Sequence, residues 1–335
     1  MRRSALAFLV FVLGLAAMAQ TPPAGAPPSG SGQTGSLMPG AGGPPGGMPA
    51  QADTAWIKTK YLDVAYASKS SAETLDLYLP NEGKGPFPLI IEIHGGGFIM
   101  GGKSGEIGPM LEGLKRGYAV ASIGYRLSGE ACFPAAIQDV KAAIRFLRAN
   151  AAKYNLDPGK FATWGGSAGG NLSALAAVSN GAANLSDPSL GNPGVSEAVQ
   201  AAVDWFGPID FSTMDAEFKA LGTSGIMGPT NSSASAESRY IGKVIGTADA
   251  APLVKAASPL TYLGAGDPPV YIQHGTADRN IPITQSERFA KALAAAIGAD
   301  KVIFERIPGA AHGGSQFDDA ANVKKILDFL DRYLK

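Results

Sequence analysis

The stretch Phe161-Ala162-Thr163-Trp164-Gly165-Gly166-Ser167-Ala168-Gly169-Gly170 decides the fold. Apolar and β-prone residues lead into a run of small residues, and a helical pattern follows over 169–178. Ser167 is the centre of a G-x-S-x-G pattern, which is typical of a sharp strand-to-helix turn that exposes a serine hydroxyl at the edge of a sheet. The flanking glycines let strand and helix approach closely. The pattern therefore predicts that Ser167 is a nucleophile.

The rest of the chain after residue 55 alternates short apolar runs with longer helical patterns. This alternation predicts the α/β class: a mostly parallel sheet of about eight strands with helices on both faces. The first two strands of this sheet are predicted to form an antiparallel hairpin, because apolar and polar residues alternate along both of them. Residues 210–258 break the rhythm and are predicted to form a small cap insertion over the carboxyl edge of the sheet. The predicted strands are 61–67, 73–79, 89–93, 119–123, 161–164, 201–206, 270–273 and 302–306, and the predicted helices include 135–153, 169–178, 284–297 and 318–333.

A serine nucleophile needs a general base, and histidine is the usual one. The chain has three histidines. His94 precedes three glycines and His274 ends a predicted buried strand, whereas His312 lies in a loop after the last strand. We therefore expect His312 to be the base.

The base needs a carboxylate that fixes its tautomer and stabilises its protonated form. Asp278 lies just beyond the predicted strand 270–273, and the order serine, aspartate, histidine is the one expected of this fold. Asp267 and Asp300 are nearby alternatives, although their positions are more typical of turn residues. We therefore expect Asp278 to orient His312.

The sequence His94-Gly95-Gly96-Gly97-Phe98 follows a predicted buried strand. Glycines let a backbone turn its N–H groups toward a developing oxyanion, and such preorganised donors are a large catalytic contribution. Gly96, Gly97 and Ala168 are the predicted oxyanion donors. Phe98 and Phe206, which follow strand ends, are predicted to contact the substrate. No metal-ligand spacing and no phosphate-binding loop occurs in the sequence, so no metal or cofactor is expected.

Charge and composition narrow the class of partner. The 335 residues include 28 basic and 28 acidic ones, and 45% are hydrophobic. This balance gives no electrostatic reason to expect nucleic acid or an anionic membrane, and a small, roughly neutral substrate fits better. Asp139, Glu92 and Arg145 are expected to be paired structural charges. The oligomeric state stays open.

The N-terminal region predicts export. Two arginines, an apolar run and an Ala-Met-Ala site are typical of a cleaved signal peptide, assigned to residues 1–19. Residues 20–54 are rich in Pro and Gly and are predicted to be a flexible linker, with the catalytic domain at 55–335. With Cys132 as the only cysteine, no internal disulfide is possible. The protein is expected in the periplasm or outside the cell, without a membrane anchor after cleavage.

From about Trp56 onward these motifs resemble the α/β-hydrolases, and within them the bacterial carboxylesterases of the hormone-sensitive lipase type and related feruloyl and acetyl xylan esterases. The resemblance implies a serine carboxylesterase acting on short-chain esters, or alternatively an esterase that deacylates plant polysaccharide. A noncatalytic binding protein on the same fold is the third reading. One position departs from the first group, whose members usually carry an acidic residue directly before the nucleophile. Here that residue is Gly166.

Overall fold

The computed structural model describes residues 52–103 and 105–335. The predicted signal peptide and most of the predicted linker lie outside the described residues. Within the described part, no helix combines the length and the apolar character needed to cross a bilayer.

Eight strands form one sheet in the order β1-β2-β4-β3-β5-β6-β7-β8. The first pair is antiparallel, as predicted, and β2 also pairs antiparallel with β4, while all later pairs are parallel. The α/β prediction with about eight strands is therefore confirmed. The strands are β1 (Lys60–Ala65), β2 (Thr74–Tyr78), β3 (Phe87–Ile93), β4 (Ala119–Ile123), β5 (Leu156–Gly166), β6 (Ala201–Trp205), β7 (Val270–Gly275) and β8 (Val302–Ile307).

Helices cover both faces of the sheet because alternate strand residues point to opposite sides. Leu89, Ile91 and Ile93 of β3 join the larger core cluster with α2, α3 and α7, whereas Ile90 joins the smaller cluster with α1 and α9. The helices are α1 (Glu112–Lys115), α2 (Ala135–Ala149), α3 (Ala168–Val178), α4 (Met214–Ala220), α5 (Ala236–Ile241), α6 (Ala251–Ala257), α7 (Thr284–Ile297), α8 (Ser315–Asp318) and α9 (Ala320–Leu334).

Two predicted helices differ at their ends. The helix predicted over 135–153 ends at Ala149, where the side-chain Nδ2 of Asn150 donates to the carbonyl of Phe146 at 2.9 Å. Such local side-chain bonds compete with helix propagation. The helix predicted over 318–333 is split between α8 and α9, and Asp319 between them caps α9 by accepting the N–H groups of Ala321 and Asn322.

The chain reverses its direction of travel across the sheet between β3 and β5. After β3 it pairs outward with β4, and it then returns to the other side of β3 with β5. Crevices at such switch points, beyond the carboxyl ends of the strands, are where open α/β sheets bind ligands. Helices α4, α5 and α6 all lie between β6 and β7. The first residue of α5, Ala236, packs next to Gly97, so this insertion borders the same edge.

Candidate active site

Ser167 lies at the tip of the turn between β5 and α3. Its backbone has φ 56° and ψ −121°, an unfavourable conformation for a residue with a side chain, and such strain concentrates at functional sites. Its N–H donates to the carbonyl of Trp205 at 2.9 Å, which ties the turn to the end of β6. A Cβ on Gly169 would lie 1.9 Å from the carbonyl oxygen of Ile93, and one on Gly165 would lie 2.4 Å from the backbone of Gly169. Only glycines permit this approach.

The three residues predicted to form a triad are brought together in the expected order. His312 Nε2 lies 2.8 Å from Ser167 Oγ, and His312 Nδ1 lies 2.7 Å from Asp278 Oδ2. Because an ionised carboxylate can only accept hydrogen bonds, Nδ1 carries the proton. The Nε2 atom is then the acceptor that faces the serine hydroxyl. This arrangement can remove the proton from Ser167.

The carboxyl group of Asp278 is held ionised by its surroundings. Burial alone would raise its pKa, but hydrogen bonds from His274 and His312 outweigh burial and hold the pKa well below the ordinary aspartate value. Its Oδ1 also accepts the N–H groups of Asn280 at 2.7 Å and Ile281 at 2.9 Å. Asp278 is therefore a fixed anion across the neutral pH range.

His274 is a contact of the triad that the sequence reasoning missed. Its Nε2 lies 3.3 Å from Asp278 Oδ2 and 3.1 Å from the carbonyl of Ile281, and both partners accept hydrogen bonds. Its Nδ1 faces Ser286 Oγ at 2.8 Å. The proton of this buried imidazole is thus on Nε2, aimed at the carboxylate. The available signal was its place at the end of β7, four residues before Asp278.

The alternative carboxylates serve local turns. Asp267 Oδ2 accepts the N–H of Gly264 at 2.8 Å, which closes the turn before β7. Asp300 lies in a short 3₁₀ helix between α7 and β8. Among the described residues, only Asp278 is hydrogen-bonded to His312 through a carboxylate.

The glycine loop after β3 lies against the serine turn. Gly96 and Gly97 have φ of 97° and 60°, and a Cβ on Gly96 would lie 2.1 Å from the carbonyl oxygen of Met100. Ala168 is the first residue of α3, where helical N–H groups have no intrahelical acceptor. In residues 52–103 and 105–335, the backbone N–H groups of Gly96, Gly97 and Ala168 donate to no other backbone carbonyl. The prediction that these N–H groups bind an oxyanion requires them to have no backbone acceptor of this kind.

His94 supports this loop from behind. Its ring stacks on Tyr125 with centroids 4.1 Å apart, and the Tyr125 hydroxyl donates to the His94 carbonyl at 2.9 Å. Burial lowers the pKa of His94 to about 4, although a hydrogen bond to the carbonyl of Gly95 opposes the shift. His94 is therefore a neutral packing residue at neutral pH.

The two phenylalanines predicted to contact substrate occupy different positions. Phe98 is 2% exposed, and its ring stacks on Tyr240 of α5 with centroids 3.8 Å apart. Phe206 is 7% exposed, and its ring lies 4.6 Å from the imidazole of His312 and 4.7 Å from Phe317. Phe206 thus packs on the predicted base, whereas Phe98 joins the loop to α5. Over the described ranges, no cluster of His, Cys, Asp and Glu is arranged to hold a metal.

Comparison with known proteins identifies the family of this chain. Residues 75–293, more than half of the chain, match the family model described as BD-FAE. Esterase LipQ of Mycobacterium tuberculosis is 33% identical over 80% of this chain and 61% of its own length, and the probable carboxylic ester hydrolase LipM of the same organism is 31% identical over 75% and 55%. The chain thus spans a little over half the length of these relatives.

Two solved structures match this chain over nearly their whole length. A truncated carbohydrate esterase from gut microbiota is 36% identical, with a TM-score of 0.73 over 85% of this chain and 99% of its own. Esterase 2 of Thermogutta terrifontis, phosphonylated by sarin, is 26% identical, with a TM-score of 0.64 over 86% and 96%. The chain belongs to the BD-FAE family and has the α/β-hydrolase fold of these solved relatives.

Proposed function

We propose that this protein is a serine carboxylesterase that hydrolyses short-chain carboxylic esters through an acyl-enzyme on Ser167. One observation carries the proposal: the continuous hydrogen-bond chain from Ser167 Oγ through His312 to Asp278. A serine hydroxyl is a weak nucleophile at neutral pH and becomes reactive only when a positioned base takes its proton. The esterase relatives add support, since they share the fold and the family.

In the first half of the reaction, Ser167 Oγ attacks the acyl carbon while its proton moves to His312 Nε2. Asp278 stabilises the resulting imidazolium because its charge is fixed 2.7 Å from Nδ1. The carbonyl oxygen becomes an oxyanion, for which Gly96, Gly97 and Ala168 offer N–H groups. The imidazolium then gives the proton to the departing alcohol oxygen, and the acyl-enzyme remains.

In the second half, water takes the place of the alcohol. His312 Nε2 removes a proton from the water as its oxygen attacks the acyl carbon, and the same proton returns to Ser167 Oγ when the acid leaves. No metal or cofactor is needed in either half, because base, oxyanion donors and nucleophile are all side-chain or backbone groups of this chain.

Hydrolysis of p-nitrophenyl esters from acetate to palmitate tests the proposal, with Ser167→Ala as the variant. We expect turnover of short chains, and a loss of several orders of magnitude in kcat for the variant. Ser173→Ala is a matched control: Ser173 is buried on α3 and bonded to Thr163 and Val203, away from His312. Ester turnover that survives in Ser167→Ala would refute the assignment.

A second candidate is an esterase that removes acetyl or feruloyl groups from plant polysaccharide. Two solved relatives favour it: the gut carbohydrate esterase, and a bifunctional GH43-CE protein of Bacteroides eggerthii, which is 34% identical with a TM-score of 0.72 over 82% of this chain and 35% of its own. Release of acetate or ferulate from acylated xylan distinguishes the candidates. A kcat/KM on xylan well above that on p-nitrophenyl acetate would make the polysaccharide ester the substrate.

The same proposal includes the parts of the chain outside the described residues. We propose that residues 1–19 direct export, that 20–54 link them to a catalytic domain at 55–335, and that the mature enzyme works in the periplasm or outside the cell. No partner other than the ester is proposed. Mass spectrometry of the N-terminus of the protein recovered from each cell fraction tests cleavage and location together.

A further inference from the structure

The loop between β3 and α1 carries a carboxylate, Glu106, that the mechanism above does not use and that lies against the glycine loop. Glu106 Oε2 accepts the backbone N–H of Gly95 at 3.1 Å. Gly95 is the residue directly before the two glycines proposed as oxyanion donors. A bond at this point fixes the start of the glycine loop.

Glu106 also lies over the serine turn. A Cβ on Gly95 would lie 2.9 Å from the carbonyl oxygen of Gly166 and 3.1 Å from Glu106 Oε1. A Cβ on Gly166 would lie 3.8 Å from Glu106 Oε2. The carboxylate therefore lies where the glycine loop and the serine turn meet. A side chain at position 166, directly before Ser167, would point into the space beside this carboxylate.

The charges around Glu106 are mixed. The pKa of its carboxyl group is raised, and desolvation by the surrounding protein atoms is the main cause. The charge of Asp318 in α8 also raises this pKa, whereas the hydrogen bond from Gly95 and the charge of His312 lower it. Glu92 and Tyr125 are also within its electrostatic range. The Glu106 carboxyl group is a stronger acceptor for the backbone N–H of Gly95 when it is ionised.

We propose that Glu106 is a positioning residue, which holds the proposed oxyanion loop in place by accepting the N–H of Gly95. This inference rests on the proposed function, because the loop matters only if an oxyanion forms. Glu106 itself touches neither the nucleophile nor the base. Its contribution should therefore appear in steps that build negative charge on the carbonyl oxygen.

The test compares Glu106→Ala, which removes the acceptor, with Glu106→Gln, which keeps an oxygen in reach of Gly95. An exposed glutamate of α1 supplies the control, Glu112→Ala. Two quantities are measured: kcat and KM on p-nitrophenyl acetate, and inhibition by an aryl trifluoromethyl ketone. With that ketone, Ser167 Oγ bonds to the carbonyl carbon, the C=O becomes C–O⁻, and the serine proton moves to His312.

We expect Glu106→Ala to lower kcat by about tenfold with KM changed by less than about threefold, and to weaken the ketone by the same factor as kcat. This is smaller than the hundredfold or greater loss on deleting an oxyanion donor outright, because the donors themselves remain. Glu106→Gln should recover most of both quantities. Melting temperatures of all variants should stay within a few degrees of the unaltered protein.

Three results would overturn the inference. Unchanged kcat and unchanged ketone inhibition in Glu106→Ala would show that the hydrogen bond from Gly95 to Glu106 does not contribute to catalysis. A fall in kcat without matching loss of ketone affinity would place the defect outside the oxyanion loop. Equal damage in Glu106→Gln and Glu106→Ala would assign the effect to charge beside His312 and not to the Gly95 contact. Absence of Ser167-dependent turnover in the unaltered protein, in contrast, would refute the proposed function itself.

Discussion

Glu92 of β3 offers a quantitative test of the core beneath the active site. It is completely buried, in a row that crosses the sheet from Ser122 of β4 to Trp164 of β5. Ser122 Oγ donates to its Oε2, whereas Oε1 has no hydrogen-bond partner among the described residues. Burial raises the pKa of Glu92 from 4.5 to about 8, with the Ser122 bond lowering it and the charge of Glu106 raising it. Glu92 is therefore protonated in the folded protein at neutral pH.

The direction of the pH effect follows from proton binding in the two states. Below pH 4.5 the group is protonated whether the chain is folded or unfolded, so it adds no pH dependence. Between pH 4.5 and about 8 the unfolded chain has lost the proton and the folded chain keeps it, so stability falls as pH rises. Each pH unit in that window corresponds to about 1.4 kcal/mol. From pH 5 to pH 8 the free energy of unfolding should fall by roughly 4 kcal/mol through this group.

Two other buried groups decide which pH range isolates Glu92. Burial raises the pKa of Asp204 to about 6, so Asp204 changes the free energy of unfolding with pH only below about pH 6. Burial lowers the pKa of His94 from 6.5 to about 4, so His94 changes the free energy of unfolding with pH only below about pH 6.5. Between pH 6.5 and 8, Glu92 is the residue of these three that titrates in the folded state. About 2 kcal/mol of pH dependence belongs to it there.

The assay is urea unfolding of the unaltered protein and Glu92→Gln at pH 6.5, 7.25 and 8. Glutamine mimics the protonated side chain and cannot ionise, so the stability of the variant relative to the unaltered protein should increase by about 2 kcal/mol across this range. Glu112→Gln, an exposed change of the same kind, should show a constant difference. A difference for Glu92→Gln that is flat within about 0.5 kcal/mol would refute the claim that the folded state keeps this proton.

Three further substitutions test the site. Asp278→Asn should lower kcat by about ten-thousandfold, because an amide does not stabilise the imidazolium, while circular dichroism stays unchanged. Gly169→Ala should cost at least about 3 kcal/mol in urea unfolding, because its Cβ would lie 1.9 Å from a backbone oxygen; Gly266→Ala, with open space at its Cβ, should stay within about 0.5 kcal/mol. Phe206→Ala should lower kcat far more than it changes KM, since the ring packs on His312; the reverse pattern in steady-state kinetics would assign the ring to substrate binding.

The strands, and the proximity of Ser167, Asp278 and His312, could be predicted because their signals are local. Each buried strand is a mainly apolar run bounded by turn residues, and Ser167, Asp278 and His312 each follow a strand whose carboxyl end meets the same edge of the sheet. The backbone conformation of Ser167 was implicit in the small residues around it. Element ends were less accurate, as with the helix that stops at Ala149 because of a side-chain bond from Asn150.

What the sequence could not predict depends on contacts between distant segments. Asp139 is paired with Arg126, and Arg145 with Glu197, as expected for structural charges, whereas Glu92 has no ion pair among the described residues. Its neighbours on the sheet are a serine and a tryptophan. The contact of Glu106 with Gly95 is closer in the chain, since both residues lie in the connection between β3 and α1, but no periodicity or spacing marks it. Such partners become visible only once the sheet order is known.

Three residues at the site that are not glycine share a positive φ: Ser167, Phe98 and Phe206. Each such conformation costs on the order of 1–3 kcal/mol, so it persists only where packing prevents relaxation. The turn at Ser167 is held by backbone contacts with β3 and β6, Phe98 by the ring of Tyr240, and Phe206 by its contacts with His312 and Phe317. Ser167, the glycine loop and His312 are therefore each held by a different part of the protein: the sheet, α5 and the C-terminal helices. Because the proposed chemistry needs all three to be aligned, the geometry of the site depends on the folding of the whole domain.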